Sequence, residues 1–96
     1  MCTYVTGHAT VAGAGKGPGG WIEVTEASVY FDHPQRAMAD HTLNIDFLDR
    51  RAGPSARVAV ELTVASALEL VRAIETTLAA VPPALLEQEI AGARRE

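Results

Sequence analysis

The chain has 96 residues, a formal net charge of −4 and 21% charged residues, a composition typical of one small soluble domain. Its eight lysines and arginines are scattered apart from two Arg-Arg pairs, so we expect no nucleic-acid partner. No apolar run reaches the length of a membrane span, and the amino terminus lacks the order of a signal peptide. These features predict a cytoplasmic protein without a membrane partner.

Four segments with the composition and alternation of β-strands precede the first helical pattern. Between the first two, the glycine-rich stretch Gly13–Gly20 is predicted to be a flexible loop. The alternation of the second segment changes phase near Thr25 and Glu26, which predicts a β-bulge there. The four predicted strands are Thr3–Val11, Trp21–Phe31, Thr42–Leu48 and Arg57–Leu62.

The period changes after the fourth strand. Leu68, Val71, Ile74 and Leu78 recur at helical spacing, which predicts a helix over 63–81. Residues 83–96 are predicted to form a second short helix or a frayed tail. The fold class is therefore α+β: a four-stranded antiparallel β-meander over 1–62 with one long C-terminal helix packed on one face. All of it is predicted to belong to a single domain, 1–96.

The hydrophobic pattern also predicts the register of the sheet. Pairing Phe31 with Leu43 in a hairpin, and Ile45 with Val60 in the next strand pair, keeps one face apolar across three strands. A slip of one residue would place polar side chains opposite apolar ones, so this register is well specified.

The same register places His33 opposite His41 at the open end of the apolar face. Imidazoles in directly opposed positions are close enough to share a metal ion or a proton. We therefore predict a small metal-binding protein in which His33, His41 and Cys2 hold zinc or another late first-row divalent ion, with an open coordination position for a small metabolite. Residues that complete or support this set are Asp32, Asp40 and His8.

Two alternatives stay open for this stretch, FDHPQRAMADH. His33 and His41 can act as acid–base groups in a metal-free enzyme or ligand-binding module. The stretch can instead be a turn, in which Asp32 bonds backbone amides and Pro34 fixes the entry to the loop.

The opposite sheet face is polar. It offers a surface ion-pair group, a shallow binding surface or the interface of a homodimer without catalysis, and a homodimer is the expected assembly. The residues predicted to form this face are Asn44, Asp46, Arg57 and Glu61.

The stretch GKGPGG matches the spacing of a dinucleotide-binding glycine motif. The segment after it is a predicted strand, so no helix amino terminus is available for a phosphate. We therefore expect no nucleotide cofactor.

Several stretches together resemble one protein family. They are the opening MCTY, the loop GKGPGGW, DHP followed by HTLNIDF, and RVAVEL running into a helix. The chain resembles a family of small actinobacterial proteins known as domain of unknown function 6295. This resemblance implies a bacterial, cytoplasmic, stand-alone protein, and it implies no activity, cofactor or catalytic residue.

Overall fold

The computed structural model describes residues 5–53 and 56–94. The described residues form a four-stranded antiparallel sheet in the order β1-β2-β3-β4 and two helices, which confirms the predicted α+β meander. The elements are β1 Val5–Gly17, β2 Gly20–Asp32, β3 Thr42–Leu48, β4 Arg57–Leu62, α1 Val64–Ala79 and α2 Pro83–Arg94.

The chain divides into two compact units, Met1–Ala65 and Ser66–Glu96. The first holds the sheet and the second holds most of the helical part. The single-domain organisation, the packing of the helix on the sheet and the homodimer all stay predictions.

The register of the central strands is the predicted one. Phe31 pairs with Leu43, and Ile45 pairs with Val60. Directly opposed residues share a face, so the polar side chains of β2, β3 and β4 also line up with one another. We call this the polar face; it consists of Tyr30, Asp32, Thr42, Asn44, Asp46, Arg57, Ala59 and Glu61.

The glycine-rich stretch is not a loop. β1 continues through Gly17, which pairs with Gly20, so only Pro18 and Gly19 connect the two strands. The predicted flexible loop over Gly13–Gly20 is therefore wrong. Glycines weaken a strand but do not exclude one. Here the glycine-rich half of β1 is held in a strand by its backbone pairing with β2.

The irregularity between β1 and β2 lies at the predicted level of the sheet but on the other strand. The register shifts between Thr10, which pairs with Glu26, and Gly13, which pairs with Val24. Val11 and Ala12 therefore stand opposite the single residue Thr25, and the extra residue of the bulge belongs to β1 rather than to β2. The phase change predicted in β2 is present as well, because Val24 and Ala27, three residues apart, are both buried apolar side chains.

Gly20 is the residue of the β1–β2 turn whose backbone requires glycine, since its φ is 111°. We expect Gly20→Ala to lower the free energy of unfolding by about 1–2 kcal/mol, because a Cβ is strained in this region. The neighbouring Gly19 has open space around its Cα and no positive φ, so Gly19→Ala is the matched control. Urea denaturation compares them, and an equal loss in both variants would contradict the assignment of strain to Gly20.

The helical unit begins close to the predicted position. α1 starts at Val64, which leaves Thr63 at the N-cap position, and α2 starts at Pro83, where proline is favoured in the first turn. A second helix is thus present where a short helix or a frayed tail was expected. Of the helices in the described part of the chain, none has the length and apolar character needed to cross a bilayer.

Candidate functional site

One end of the polar face is buried rather than solvated, whereas Arg57 and Ala59 of the same face are exposed. Asp32, Thr42 and Asn44 expose only 5%, 0% and 4% of their surface. A meander normally leaves its polar face in water. Neighbouring segments therefore shield these three side chains from water, and the loop between β2 and β3 is one of them, since its Gln35 lines a pocket together with Asp32 and Asn44.

Glu61 holds this loop over the sheet. Its carboxylate accepts hydrogen bonds from the backbone N–H groups of Gln35 (2.6 Å), Arg36 (2.9 Å) and Ala37 (3.0 Å). Asn44 lies between β2 and Glu61 in the register, so a loop that leaves β2 and reaches Glu61 must pass over Asn44. The three amide donors form an anion-binding turn, and the anion that they bind is the Glu61 carboxylate of the same chain.

The hydrogen bonds around Glu61 also determine its ionisation. The amide of Gln35, followed by those of Ala37 and Arg36, lowers the pKa of the Glu61 carboxyl below its ordinary value. The carboxylate is therefore charged at neutral pH, which is the state that accepts three N–H groups.

Tyr30, Asp46 and Arg57 form a second polar group on this face. The Tyr30 hydroxyl donates to Asp46 Oδ2 at 3.2 Å, and Arg57 Nη1 lies 3.7 Å from the same oxygen. Burial, followed by the charge of Asp46, raises the pKa of the Tyr30 phenol. The hydroxyl is therefore a hydrogen-bond donor held in place by a neighbouring carboxylate.

Between the loop and these side chains lies a pocket of about 270 Å³, which we call the polar pocket. It would hold roughly nine waters at about 30 Å³ each, which sets the size of a ligand. Its walls combine β2, β3 and β4 with the start of the loop. The lining residues are Tyr30, Asp32, His33, Gln35, Asn44, Asp46, Arg57, Ala59, Val60 and Glu61.

The raised pKa of Tyr30 has a measurable consequence in alkali. The neutral phenol contributes stability that is fully present below its ordinary pKa of 10.0 and is lost as the pH rises through the raised value. The difference in tyrosinate absorbance between the wild type and Tyr30→Phe should therefore titrate above pH 10. Asp46→Asn should move that titration down, because it removes the neighbouring charge. A Tyr30 titration at or below pH 10 would contradict this contact.

His33 and His41 lie side by side at the mouth of the β2–β3 hairpin. Their ring centroids are 4.6 Å apart with the planes tilted by 32°. The His41 ring also stacks on Phe31, with centroids 5.5 Å apart and an interplanar angle of 11°. His33 Nδ1 lies 3.0 Å from the backbone carbonyl of Asp40. Since a carbonyl only accepts, Nδ1 carries the proton and Nε2 carries the lone pair of the neutral ring.

Of the other predicted site residues, Asp32 and Asp40 contact His33, whereas His8 lies elsewhere in the sheet. Asp32 Oδ1 accepts the backbone N–H of His33 at 2.6 Å, and Asp40 contributes its carbonyl rather than its carboxylate. His8 belongs to β1, where Nδ1 lies 3.1 Å from Ser28 Oγ and 3.3 Å from Glu26 Oε2. Cys2 lies outside the described residues. Within residues 5–53 and 56–94, no group of three or more His, Cys, Asp or Glu is arranged to hold a metal ion.

The structure brings all four predicted polar-face residues to one pocket, but it gives Glu61 a different task. A surface ion-pair group of Asp46, Arg57 and Glu61 was one of the predicted alternatives for this face. Asp46 and Arg57 do approach each other, whereas Glu61 binds loop amides. Backbone donors carry no side-chain signature, so the loop contacts were missed. The available signal was loop length, because nine residues between paired strands exceed an ordinary hairpin turn.

Comparison with known proteins gives one match. The sequence model of a family of unknown function, DUF6295, matches residues 1–87. No curated protein matches the chain, and no solved structure does.

Proposed function

We propose that this chain, which belongs to the family of unknown function DUF6295, binds a small polar metabolite in the polar pocket. One observation carries the proposal: the buried residues Asp32, Thr42 and Asn44 are polar and lie on the sheet face that a meander would leave in water. Burying polar groups costs free energy unless they are hydrogen-bonded, so polar residues are kept inside a sheet where partners for them exist. A pocket with several convergent polar side chains is a common feature of ligand-binding sites.

The pocket favours a ligand with hydrogen-bond donors. Three carboxylates line it, from Asp32, Asp46 and Glu61, against the single guanidinium of Arg57. An ionised carboxylate accepts hydrogen bonds and has none to donate. A ligand with amine or hydroxyl groups matches such walls better than one with phosphate or carboxylate groups.

His33 gives the pocket a group that can exchange a proton with the ligand. It is one of the residues that line the pocket, and its Nδ1 is fixed on the Asp40 carbonyl, so Nε2 is the basic nitrogen of the neutral ring. Orientation of one ring nitrogen by a backbone carbonyl is the usual way in which proteins select a tautomer. The arrangement supports acid–base chemistry on a bound ligand as an extension of binding.

A thermal-shift screen with amines, amino acids, sugars, nucleosides and organic acids tests the proposal. A ligand present at about 100 times its Kd stabilises the folded protein by about 2.7 kcal/mol, which is a rise in Tm on the order of 10 °C for a chain of this size. The rise should shrink in Asp46→Asn and persist in Glu87→Gln, an exposed carboxylate of α2 that serves as the control. No rise with any compound class, or equal rises in both variants, would contradict the proposal.

A second candidate function rests on the two adjacent histidines. We propose that His33 and His41 bind a divalent metal, zinc or another late first-row ion. Their rings lie 4.6 Å apart, and His33 donates its other ring nitrogen to a carbonyl, as metal-binding histidines generally do. Two histidines do not complete a metal site. Further ligands must therefore come from other residues, and Cys2 is the predicted one.

Titration calorimetry with Zn²⁺ and Cu²⁺ tests this second candidate. His33→Ala and His41→Ala should each weaken binding, and metal addition to the wild type should release protons. His8→Ala is the matched control, because His8 lies on β1 with Ser28 and Glu26 as neighbours. A wild type that binds neither ion, or three histidine variants with equal affinity, would contradict it.

A further inference from the structure

The far end of the sheet, at the β1–β2 turn, is curled toward its apolar face. A Cβ placed on Gly15 of β1 would lie 3.5 Å from Val58 Cγ2, and one on Gly17 would lie 3.8 Å from the same atom. Val58 belongs to β4, the opposite edge of the sheet. Edge strands of a flat four-stranded sheet are about 14 Å apart, three spacings of about 4.8 Å. The two edges have therefore closed toward each other.

Alternating glycines explain how this closure is possible. Gly13, Gly15 and Gly17 are spaced by two, so they present the same face of β1. On that face Gly15 is also close to β2, since its Cβ would lie 3.3 Å from Val24 Cγ2. Side chains at Gly15 and Gly17 would hold β1 away from β4, since both positions lie close to Val58. Glycine in a strand commonly marks such a bend or close approach.

The closure leaves a cavity of about 370 Å³, which we call the apolar cavity. It is distinct from the polar pocket and shares none of its residues. A Cβ on Gly13 would meet nothing within 4 Å, so the cavity includes open space in front of this glycine. Its principal lining residues are Val11, Gly13, Gly15, Val24, Phe47 and Val58.

We propose that the apolar cavity binds the alkyl or aromatic part of a small molecule. All its lining residues are apolar, and its volume is that of a small-molecule site. The mouths of curled and closed sheets are common positions for such ligands.

The shape of the cavity identifies the occupant as a small molecule. A helix has a diameter of about 10 Å with its side chains, whereas the cavity is so narrow between Gly15 and Val58 that one added Cβ on Gly15 would lie 3.5 Å from Val58 Cγ2. A flexible chain or a single ring fits between converging walls. This inference is independent of the polar pocket, because it rests on the other face of the sheet.

Binding of uncharged n-alcohols from butanol to decanol tests the proposal. The probes are titrated into the full-length ¹⁵N-labelled protein, and affinity is read from amide shifts of Gly13, Gly15, Phe47 and Val58. Each added CH2 group should tighten binding about fourfold until the chain fills the cavity. An affinity that does not depend on chain length would overturn the proposal.

Gly13→Leu is the decisive variant. A leucine here meets open space and no positive φ, so it should fill the cavity, weaken octanol binding at least tenfold and maintain or raise Tm. Thr6→Leu adds the same side chain to an exposed position of β1 outside the cavity and should leave octanol binding unchanged. If an apolar segment of the chain or of a second copy fills the cavity instead, octanol does not bind and Gly13→Leu lowers Tm. Either result overturns the proposal.

Discussion

Replacing Thr42 with valine is expected to lower the free energy of unfolding by about 1–3 kcal/mol. The side chain of Thr42 is fully buried, and its Oγ1 donates to Asn44 Oδ1 at 2.7 Å. Valine keeps the shape and removes the donor. Because Asn44 is itself only 4% exposed, water cannot easily replace that donor, and the amide oxygen of Asn44 would lose this partner in the interior.

Thr6→Val is the control for this prediction, since Thr6 is an exposed threonine on β1. The same chemical change at an exposed site should alter stability by no more than about 0.5 kcal/mol. Urea denaturation of both variants measures the two effects. A similar loss in both would mean that Thr42 stabilises the sheet through β-propensity alone, and that the polar face is not effectively buried.

Replacing Glu61 with glutamine is expected to release the β2–β3 loop. The amides of Gln35, Arg36 and Ala37 all donate to the Glu61 carboxylate. Glutamine offers a single neutral oxygen in its place. Amide exchange at these three positions should accelerate on the order of tenfold, because hydrogen bonds to a charged acceptor are the stronger ones.

The same release should occur in the wild type on acidification. The pKa of Glu61 is lowered from its ordinary value of 4.5, chiefly by the Gln35 amide. The stability contributed by the carboxylate is therefore fully present above pH 4.5 and is lost as the pH falls through the lowered pKa. Protection of the loop amides should follow this dependence in the wild type and lose it in Glu61→Gln. Glu87→Gln, on α2, is the control, and loop exchange that does not respond to either change would contradict the role of Glu61.

The strands that carry a clean alternation could be predicted from the sequence in full. β3 and β4 have the predicted bounds, Thr42–Leu48 and Arg57–Leu62, and the pairing of Phe31 with Leu43 is as predicted. A shift of one residue would exchange the two faces of a strand. Alternation along three adjacent strands therefore leaves one register that keeps the apolar side chains together.

β1 could not be predicted in the same way, because its second half has few large apolar side chains. Gly13, Gly15 and Gly17 give no hydrophobic period, and a glycine-rich stretch is more often a loop. Their role depends on Val58, which lies more than forty residues along the chain. A close approach between distant strands leaves glycine as its only trace in the sequence.

The candidate site was predictable in its residues but not in its environment. The polar-face residues Asn44, Asp46, Arg57 and Glu61 were identified from the register. The loop beside them is held by its backbone amides, and any residue except proline supplies an amide. The sequence therefore indicates which side chains share the face, while only the structure shows that the β2–β3 loop is bound to Glu61.

The measurement that tests the central claim most directly is chemical-shift mapping of a ligand returned by the thermal-shift screen. The largest changes should occur at Tyr30, Gln35, Asn44 and Glu61, around the polar pocket, and they should be reduced in Asp46→Asn. Changes confined to the β1–β2 turn or to the helical unit would place the ligand elsewhere and would contradict the assignment of the polar pocket as the binding site.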